Sequence, residues 1–358
     1  MNYTFSQMKS GKKIGVGAGN TLFFDAGISA ADVAVSETSK GVRLAVGNKF
    51  VLLDEWTLDQ LSSLDVVFND GSELRVGDDT IAQLNDQNAN VLSSFAPATV
   101  RHDQFRGLGG DDTLDGGAGD DLLFGNAGRD ILTGGLGADI LNGGVGDDAI
   151  EGGGDDDRVR IDGPDCGSDT VLGGEGNDRL LYEDAGSKTR QTLSGEAGND
   201  IILGGRGHDT LYGGADDDRI VGGKGKDLLR GGLGVDLLKG GDKADVFEFG
   251  ALDSLPALGL FDTVRDFQTG RDQFDMPEAG TEANYIEESL STDSFAKALD
   301  RAAELMLAND GAKIYVYIDG VTRGWLFADF QGPDTIPDFA VMLRNGVSKK
   351  DLDYTDII

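Results

Sequence analysis

The stretch that decides the fold is Gly116-Gly117-Ala118-Gly119-Asp120-Asp121-Leu122-Leu123-Phe124. Nine residues on comes Gly125-Asn126-Ala127-Gly128-Arg129-Asp130-Ile131-Leu132-Thr133, and then Gly134-Gly135-Leu136-Gly137-Ala138-Asp139-Ile140-Leu141-Asn142. The shared form is G-G-x-G-x-D-x-U-x, where U is a large apolar residue, and it runs from Gly107 to Glu248. Blocks open at Gly107, Gly116, Gly125, Gly134, Gly143 and Gly152. The register resumes after an insertion at Pro164 and Gly173, and after another at Gly186, Gly195, Gly204, Gly213, Gly222, Gly231 and Gly240. The U slot reads Leu114, Leu123, Leu132, Leu141, Ile150, Val159, Val171, Leu180, Leu193, Ile202, Leu211, Ile220, Leu229, Leu238 and Phe247. A disordered glycine-rich chain would not hold that slot apolar through every block.

Elementary geometry turns the repeat into a shape. In x-U-x, strand alternation sends the middle side chain to one face. In G-G-x-G-x-D, glycines reach positive φ without a Cβ clash and make a turn. Two strands and two turns close one coil of eighteen residues, and coils stack at about 4.8 Å. The fold class expected is therefore mainly β: a parallel β-roll, or β-solenoid, of nonapeptides. A coil this narrow, with one large inward side chain per strand, buries too little apolar surface to hold itself closed.

The turn aspartates supply the missing term. They recur as Asp112, Asp121, Asp130, Asp139, Asp148, Asp157, Asp169, Asp178, Asp200, Asp209, Asp218, Asp227, Asp236 and Asp245. Stacked coils place them in two anionic ladders that repel unless neutralised. Ca²⁺, with 6–8 oxygen ligands in flexible geometry, suits carboxylates and turn carbonyls; Mg²⁺ demands tight octahedral sites and keeps its water. Thiolate- or imidazole-seeking metals find no ligands here.

This nonapeptide resembles the repeats-in-toxin (RTX, haemolysin-type) calcium-binding repeat. The resemblance implies a β-roll in which the turn Asp and the glycine-turn carbonyls hold multiple Ca²⁺ ions, and the fourteen aspartates above take that role. Some positions depart from the pattern. Gln191 replaces the Asp of its block, so that site is expected to be absent or weak. Asp155 and Asp216 replace the fourth-position Gly, a position Asp tolerates better than most residues. Lys243 in the same slot suggests that the ladder closes there.

Composition narrows the partners. The 358 residues carry 31 Lys plus Arg against 64 Asp plus Glu, a formal charge of −33. Such a chain repels nucleic acid and anionic membranes. Cys166 is the single cysteine, which rules out an intrachain disulfide. No apolar run has the length of a membrane span, and Met1 to Gly19 has no signal-peptide core.

Three regions are expected: 1–105, a small β-rich module; 106–250, the calcium roll; and 251–358, an α+β cap with a secretion signal. In the first, Val42, Leu44 and Val46 alternate and Val51-Leu52-Leu53 follows across Gly47-Asn48. Val66-Val67-Phe68 and Leu74-Arg75-Val76 flank Asn69-Asp70-Gly71-Ser72, a hairpin sequence. The run 32–83 resembles the small domain found beside such repeats in haemolysin-type proteins. Phe261 to Met276, FDTVRDFQTGRDQFDM, is similar to the capping strands of serralysin-type proteases. Thr292 to Ala308 reads as a helix with Phe295, Leu299, Ala302, Ala303 and Met306 on one face. Tyr315 to Ile318 and Trp325 to Phe327 form a second hairpin. The ending Asp351-Leu352-Asp353-Tyr354-Thr355-Asp356-Ile357-Ile358 looks like an uncleaved type I secretion signal.

No catalytic constellation is legible. The sequence has no H-E-x-x-H and no G-x-S-x-G motif, and His102 and His208 stand far apart. His208 is expected to face solvent, His102-Asp103 to be a structural or exposed pair, and Cys166 to fill a turn. The glycine run Gly15 to Asn20 lacks the strand–helix context of a dinucleotide loop. The function expected is that of a secreted, extracellular, non-enzymatic calcium-binding protein. Its partners would be Ca²⁺, the type I secretion machinery and a glycan or cell-surface component. The alternative is the calcium-binding and secretion portion of a larger hydrolase, toxin or polysaccharide-modifying enzyme.

Overall fold

The computed structural model describes residues 2–7, 10, 12–14, 21–24, 28, 33–38, 41–46, 48–54, 65–67, 74–76, 91–93, 102–161, 166–182, 188–250, 253, 261–268, 270–277, 285–289, 294–308, 314–319, 323–329, 337, 339–344, 352 and 356–358. The chain divides into two compact units, Met1–Gly174 and Glu175–Ile358. Each coil of a stack touches only its neighbours, so a change of sequence texture need not mark a structural boundary.

In the first unit the repeats form two parallel sheets. One contains Leu74–Val76, Gln104–Gly109, Leu122–Ala127, Ile140–Val145 and Arg158–Ile161, and the other Val91–Ser93, Thr113–Ala118, Ile131–Leu136 and Ala149–Gly154. The register advances by eighteen residues per coil, as in Leu123↔Leu141 and Leu114↔Leu132. Every U side chain is buried, between 0 and 3 % exposed. The apolar columns run Phe105–Leu123–Leu141–Val159 and Leu114–Leu132–Ile150. Leu74–Val76 and Val91–Ser93 pair with the first repeat strands, so the roll begins upstream of residue 106.

The rest of this unit holds two small sheets. Gly41–Val46 and Lys49–Asp54 form the expected antiparallel pair, with Val42, Leu44, Val51 and Leu53 buried. The hairpin expected around Asn69 to Ser72 is not formed. Asp65–Val67 pairs in parallel with Thr21–Phe23, while Leu74–Val76 joins the roll. Two non-local partners replace the local one that turn chemistry suggested; the loop itself lies outside the described residues.

In the second unit a stack of the same kind is built from Arg179–Tyr182, Ile201–Gly205, Arg219–Lys224 and Leu237–Asp242 on one sheet. Thr192–Ala197, Thr210–Ala215, Leu228–Leu233 and Val246–Glu248 form the other. Both sheets continue past the nonapeptides, through Asp262–Val264 and Gln273–Asp275. The roll therefore passes the expected boundary at residue 250. Arg230 ties down the exit from the repeats, its Nε 3.1 Å from Asp253 Oδ2 and its Nη1 3.2 Å from Glu248 Oε1.

Beyond the stack, Phe339–Arg344 pairs in parallel with Asp262–Val264 and antiparallel with Arg323–Asp329, which forms the expected hairpin with Ile314–Asp319. This added sheet covers a strand edge that would otherwise be open to other chains. The helix Phe295–Ala308 packs Ala298, Ala302 and Met306 against Ile318, Trp325, Phe327, Ala340 and Met342. Ala298, rather than the expected Ala303, is fully buried on that face. At the end of the chain Ile357 bridges Phe274, the Ile358 N–H donates to Phe274 O at 2.8 Å, and Leu352, Asp356 and Ile357 are buried. Among the described residues no helix is long and apolar enough to cross a membrane.

Candidate calcium ladders

The site grows from the turn. Most fourth-position residues have positive φ, as in Gly119, Gly137 and Gly146, and the replacements Asp155 and Asp216 adopt it at +73° and +75°. The turn brings the following Asp back under the first Gly of its own block. A Cβ on Gly222 would lie 2.6 Å from Asp227 Oδ2 and 2.7 Å from Gly240 O. On Gly204 it would lie 2.9 Å from Asp209 Oδ2 and 2.8 Å from Gly222 O. A bare Cα thus leaves room where a carboxylate oxygen and a carbonyl oxygen of the next coil converge.

All fourteen sequence-identified aspartates are at most 3 % exposed, and within each unit they stack in two series. Within each unit the N–H of one ladder Asp donates to Oδ1 of the Asp one coil ahead. In the first unit, Asp121 donates to Asp139 at 2.7 Å and Asp139 to Asp157 at 2.8 Å, while Asp112, Asp130, Asp148 and Asp169 form the second series. The second unit repeats the arrangement through Asp178, Asp200, Asp218 and Asp236, and through Asp209, Asp227 and Asp245.

The second oxygen of these carboxylates is the telling atom. Oδ2 of Asp121, Asp130, Asp139, Asp148, Asp209, Asp218, Asp227, Asp236 and Asp245 is buried with no hydrogen-bond partner. A buried carboxylate without compensation costs several kcal/mol, and a native fold offsets that cost or keeps the proton. Burial, reinforced at most positions by neighbouring Asp charges, raises Asp139, Asp169 and Asp218 to about 8. Asp121, Asp148, Asp209 and Asp245 rise to about 7, and Asp130, Asp227 and Asp236 to about 6. The N–H bond from one coil back opposes the rise in each case. Among the described residues no three His, Cys, Asp or Glu side chains cluster as a self-sufficient metal site. The donor set combines carboxylate and carbonyl oxygens from successive coils, a hard, all-oxygen environment that suits Ca²⁺.

The ladders are longer than the glycine pattern. Asp103 donates its N–H to Asp121 Oδ1 at 2.6 Å and is fully buried, so of the two alternatives for the His102-Asp103 pair, structural or exposed, Asp103 takes the structural one, as a ladder member. Asp236 donates to Asp262 at 2.9 Å and Asp245 to Asp272 at 3.1 Å, which carries both ladders past Lys243, where they were expected to close. Burial holds the Asp262 carboxyl well above its ordinary range. The available signal was D-x-U without glycines: Asp103-Gln104-Phe105, Asp262-Thr263-Val264 and Asp272-Gln273-Phe274.

Asp272 ends its ladder differently. Its Oδ2 accepts the Gln268 N–H at 2.8 Å, and Arg271 Nε lies 3.2 Å from its Oδ1 while Arg271 Nη2 reaches Gly241 O at 3.0 Å. A guanidinium thus sits between a ladder carboxylate and a turn carbonyl. Gln191 keeps the backbone part of its rung, donating to Asp209 at 2.9 Å, but contributes a neutral amide.

A second, outer series escaped sequence reasoning. Side chains just before the ladder Asp accept the N–H one coil on: Asp111 from Arg129, Asp120 from Ala138, Asn199 from Asp217 and Asp217 from Val235. His102 and His208 do the same with Nδ1 for Asp120 and Lys226, both at 2.8 Å. His208 is exposed as expected, yet it is part of the stack. Cys166 is buried in its turn.

Stacked turns, two buried carboxylate ladders and an oxygen-only donor set define a calcium-binding β-roll. The RTX calcium-binding nonapeptide repeat matches residues 98–132, 124–159, 167–182, 194–229 and 212–247. The chain carries RTX repeats, which bind Ca²⁺ and are typical of proteins exported by type I secretion. No curated protein matches the chain.

Proposed function

We propose that the chain is an extracellular binding protein without catalytic activity, exported by a type I system and closed into its folded form by Ca²⁺. The fourteen repeat aspartates, together with Asp103 and Asp262, hold the ions with turn carbonyls; Arg271 takes the cation's place at the last rung. The observation that carries this reading is the row of buried Oδ2 atoms lacking a hydrogen-bond partner, Asp139 among them. Bound Ca²⁺ supplies charge compensation there, and each ion held by the folded state alone adds to its stability. Extracellular calcium modules bind at about 10⁻⁴–10⁻³ M, so export from a low-calcium cytosol would itself trigger folding. The segment 261–276 acts as a cap of the serralysin type, and the chain's surface serves a cell-surface or matrix partner.

Far-UV circular dichroism during a Ca²⁺ titration, with Mg²⁺ as control, tests the reading. A cooperative gain of β signal near millimolar Ca²⁺, absent with Mg²⁺, is the expected result. An equally structured chain in chelator and in Ca²⁺ would overturn it.

A further inference from the structure

One sheet of the unit Glu175–Ile358 presents cations that the calcium ladders do not use. Arg179, Arg219, Lys239 and Arg265 are exposed on its strands or just beyond them, and Arg206 and Lys224 are exposed where two strands enter their turns. The register fixes their arrangement. Arg179 pairs with Ile201, Ile201 with Arg219, and Arg219 with Leu237, so two arginines stand two strands apart in one column. Gly205 pairs with Gly223, which puts Arg206 and Lys224 at the same level on adjacent strands, about 4.8 Å apart. Lys239 follows Leu238, the partner of Val264, and Arg265 follows Val264, so these two cations are also neighbours.

Like charges directly across a sheet destabilise it. The chain has twice as many acids as bases, 64 against 31, and could neutralise this face. Yet among the described residues no ion pair joins any of these cations to a carboxylate. Asp242 stands beside Lys224 in register, and Asp266, which feels Lys239, turns its carboxylate to the N–H groups of Gly240 and Gly241. Between the cations runs an open groove of about 400 Å³ walled by Arg206, Lys224 and Lys239 and by the carboxylate-bearing Asp242, with Tyr182 and Val221 against its glycine floor.

We infer that this face binds a linear carboxylated polysaccharide, a polyuronate, laid across the strands over Arg179, Arg219, Lys239 and Arg265 and held at the groove by Arg206 and Lys224. Cations set at strand spacing match a polymer with a repeated charge better than one small anion. The groove is open, as an extended chain requires. Half-buried Leu203 and Val221 offer apolar surface to sugar C–H groups between the charges. Nucleic acid fits less well. A duplex carries one charge per about 1.7 Å and would meet the repulsion of the whole −33 chain, and single-stranded bases need an exposed ring to stack on. Tyr182, the ring in the groove, is only 3 % exposed. The inference deepens the proposed binding role by naming a class of partner.

The test uses the full chain in saturating Ca²⁺ and labelled galacturonate oligomers too short to gel, followed by fluorescence anisotropy. Neutral dextran, poly-glutamate and a single-stranded oligonucleotide serve as comparisons. The oligouronate is expected to bind in a salt-sensitive manner, with dextran inert and the two other polyanions weaker. R219E/K239E should weaken binding about tenfold or more while leaving the Ca²⁺-induced dichroism unchanged. If that variant fails to fold, R179E/R265E gives the same readout from the same face. No binding, binding indifferent to both charge reversals, or poly-glutamate or oligonucleotide binding as tightly as the sugar would overturn the inference. The calcium reading is judged separately, by the dichroism titration of the unaltered chain.

Discussion

The N–H of Asp121 donates to Asp139 Oδ1 at 2.7 Å, while Asp139 Oδ2 in the same carboxylate is buried without a hydrogen-bond partner. One oxygen holds two coils together and the other demands a cation. The two roles can be separated by substitution. Asp139→Asn keeps an acceptor for Asp121 but removes the charge, so it should lose a calcium site and lower the melting temperature in Ca²⁺. In chelator it should equal or exceed the parent. Asp139→Ala also strands the Asp121 N–H and should cost a further 1–3 kcal/mol or so in both conditions. Thermal melts with and without Ca²⁺ read both effects.

Acid should partly replace calcium. The ladder aspartates titrate in the folded roll at about 6–8, above the ordinary 3.8. An acid with a raised folded pKa contributes stability that is fully present below the unfolded value and lost as pH climbs through the folded one. In calcium-free buffer, β signal should therefore grow as pH falls from 8 toward 5. Calcium binding near pH 7 should release protons, measurable as a buffer-dependent heat of binding. A calcium-free chain that loses structure on acidification would contradict the assignment.

Gly222→Ala should be damaging, because its Cβ would press on Asp227 Oδ2 and on the Gly240 carbonyl at 2.6 and 2.7 Å. Overpacking of this kind costs about 1–3 kcal/mol, and here it also crowds the donor set. Asp155→Gly, at φ +73°, should be tolerated. Calcium midpoints of the two variants should move in clearly different degree.

Arg271→Ala should make the last rung depend on metal. Asp272 is 1 % exposed and loses its cation, while the guanidinium is 33 % exposed. We expect a loss of about 1–3 kcal/mol, below the 3–5 kcal/mol of a fully buried pair. The variant should need more Ca²⁺ to reach half-folding. Hydrogen exchange at Gln273–Asp275 in low Ca²⁺ would locate the change.

Much of this architecture could be read from the chain before any coordinates. Leu123, Leu141 and Leu132 announced the inward columns because period nine, doubled, is also the coil length. Asp103, Asp262 and Asp272 were hidden because recognition leaned on glycine, whereas a rung needs only an Asp two residues before an inward apolar side chain. Val66 and Arg75 misled for another reason. Turn chemistry at Asn69 to Ser72 speaks for a local pair, but Asp65–Val67 and Leu74–Val76 each gain a partner distant in sequence. The outer series through His102, Asn199 and Asp217 was illegible because any short acceptor serves there, leaving no residue signature.

Rung-to-rung bonds survive unequal lengths of intervening chain. Asp139 follows Asp121 by eighteen positions, but Asp169 follows Asp148 by twenty-one, Asp200 follows Asp178 by twenty-two, and Asp262 and Asp272 follow Asp236 and Asp245 by twenty-six and twenty-seven. The fold therefore constrains the rung and accepts unequal spans of chain between rungs. A gene of this kind can lengthen by duplicating one coil, or accept foreign sequence between coils, and the neighbours on either side need no redesign.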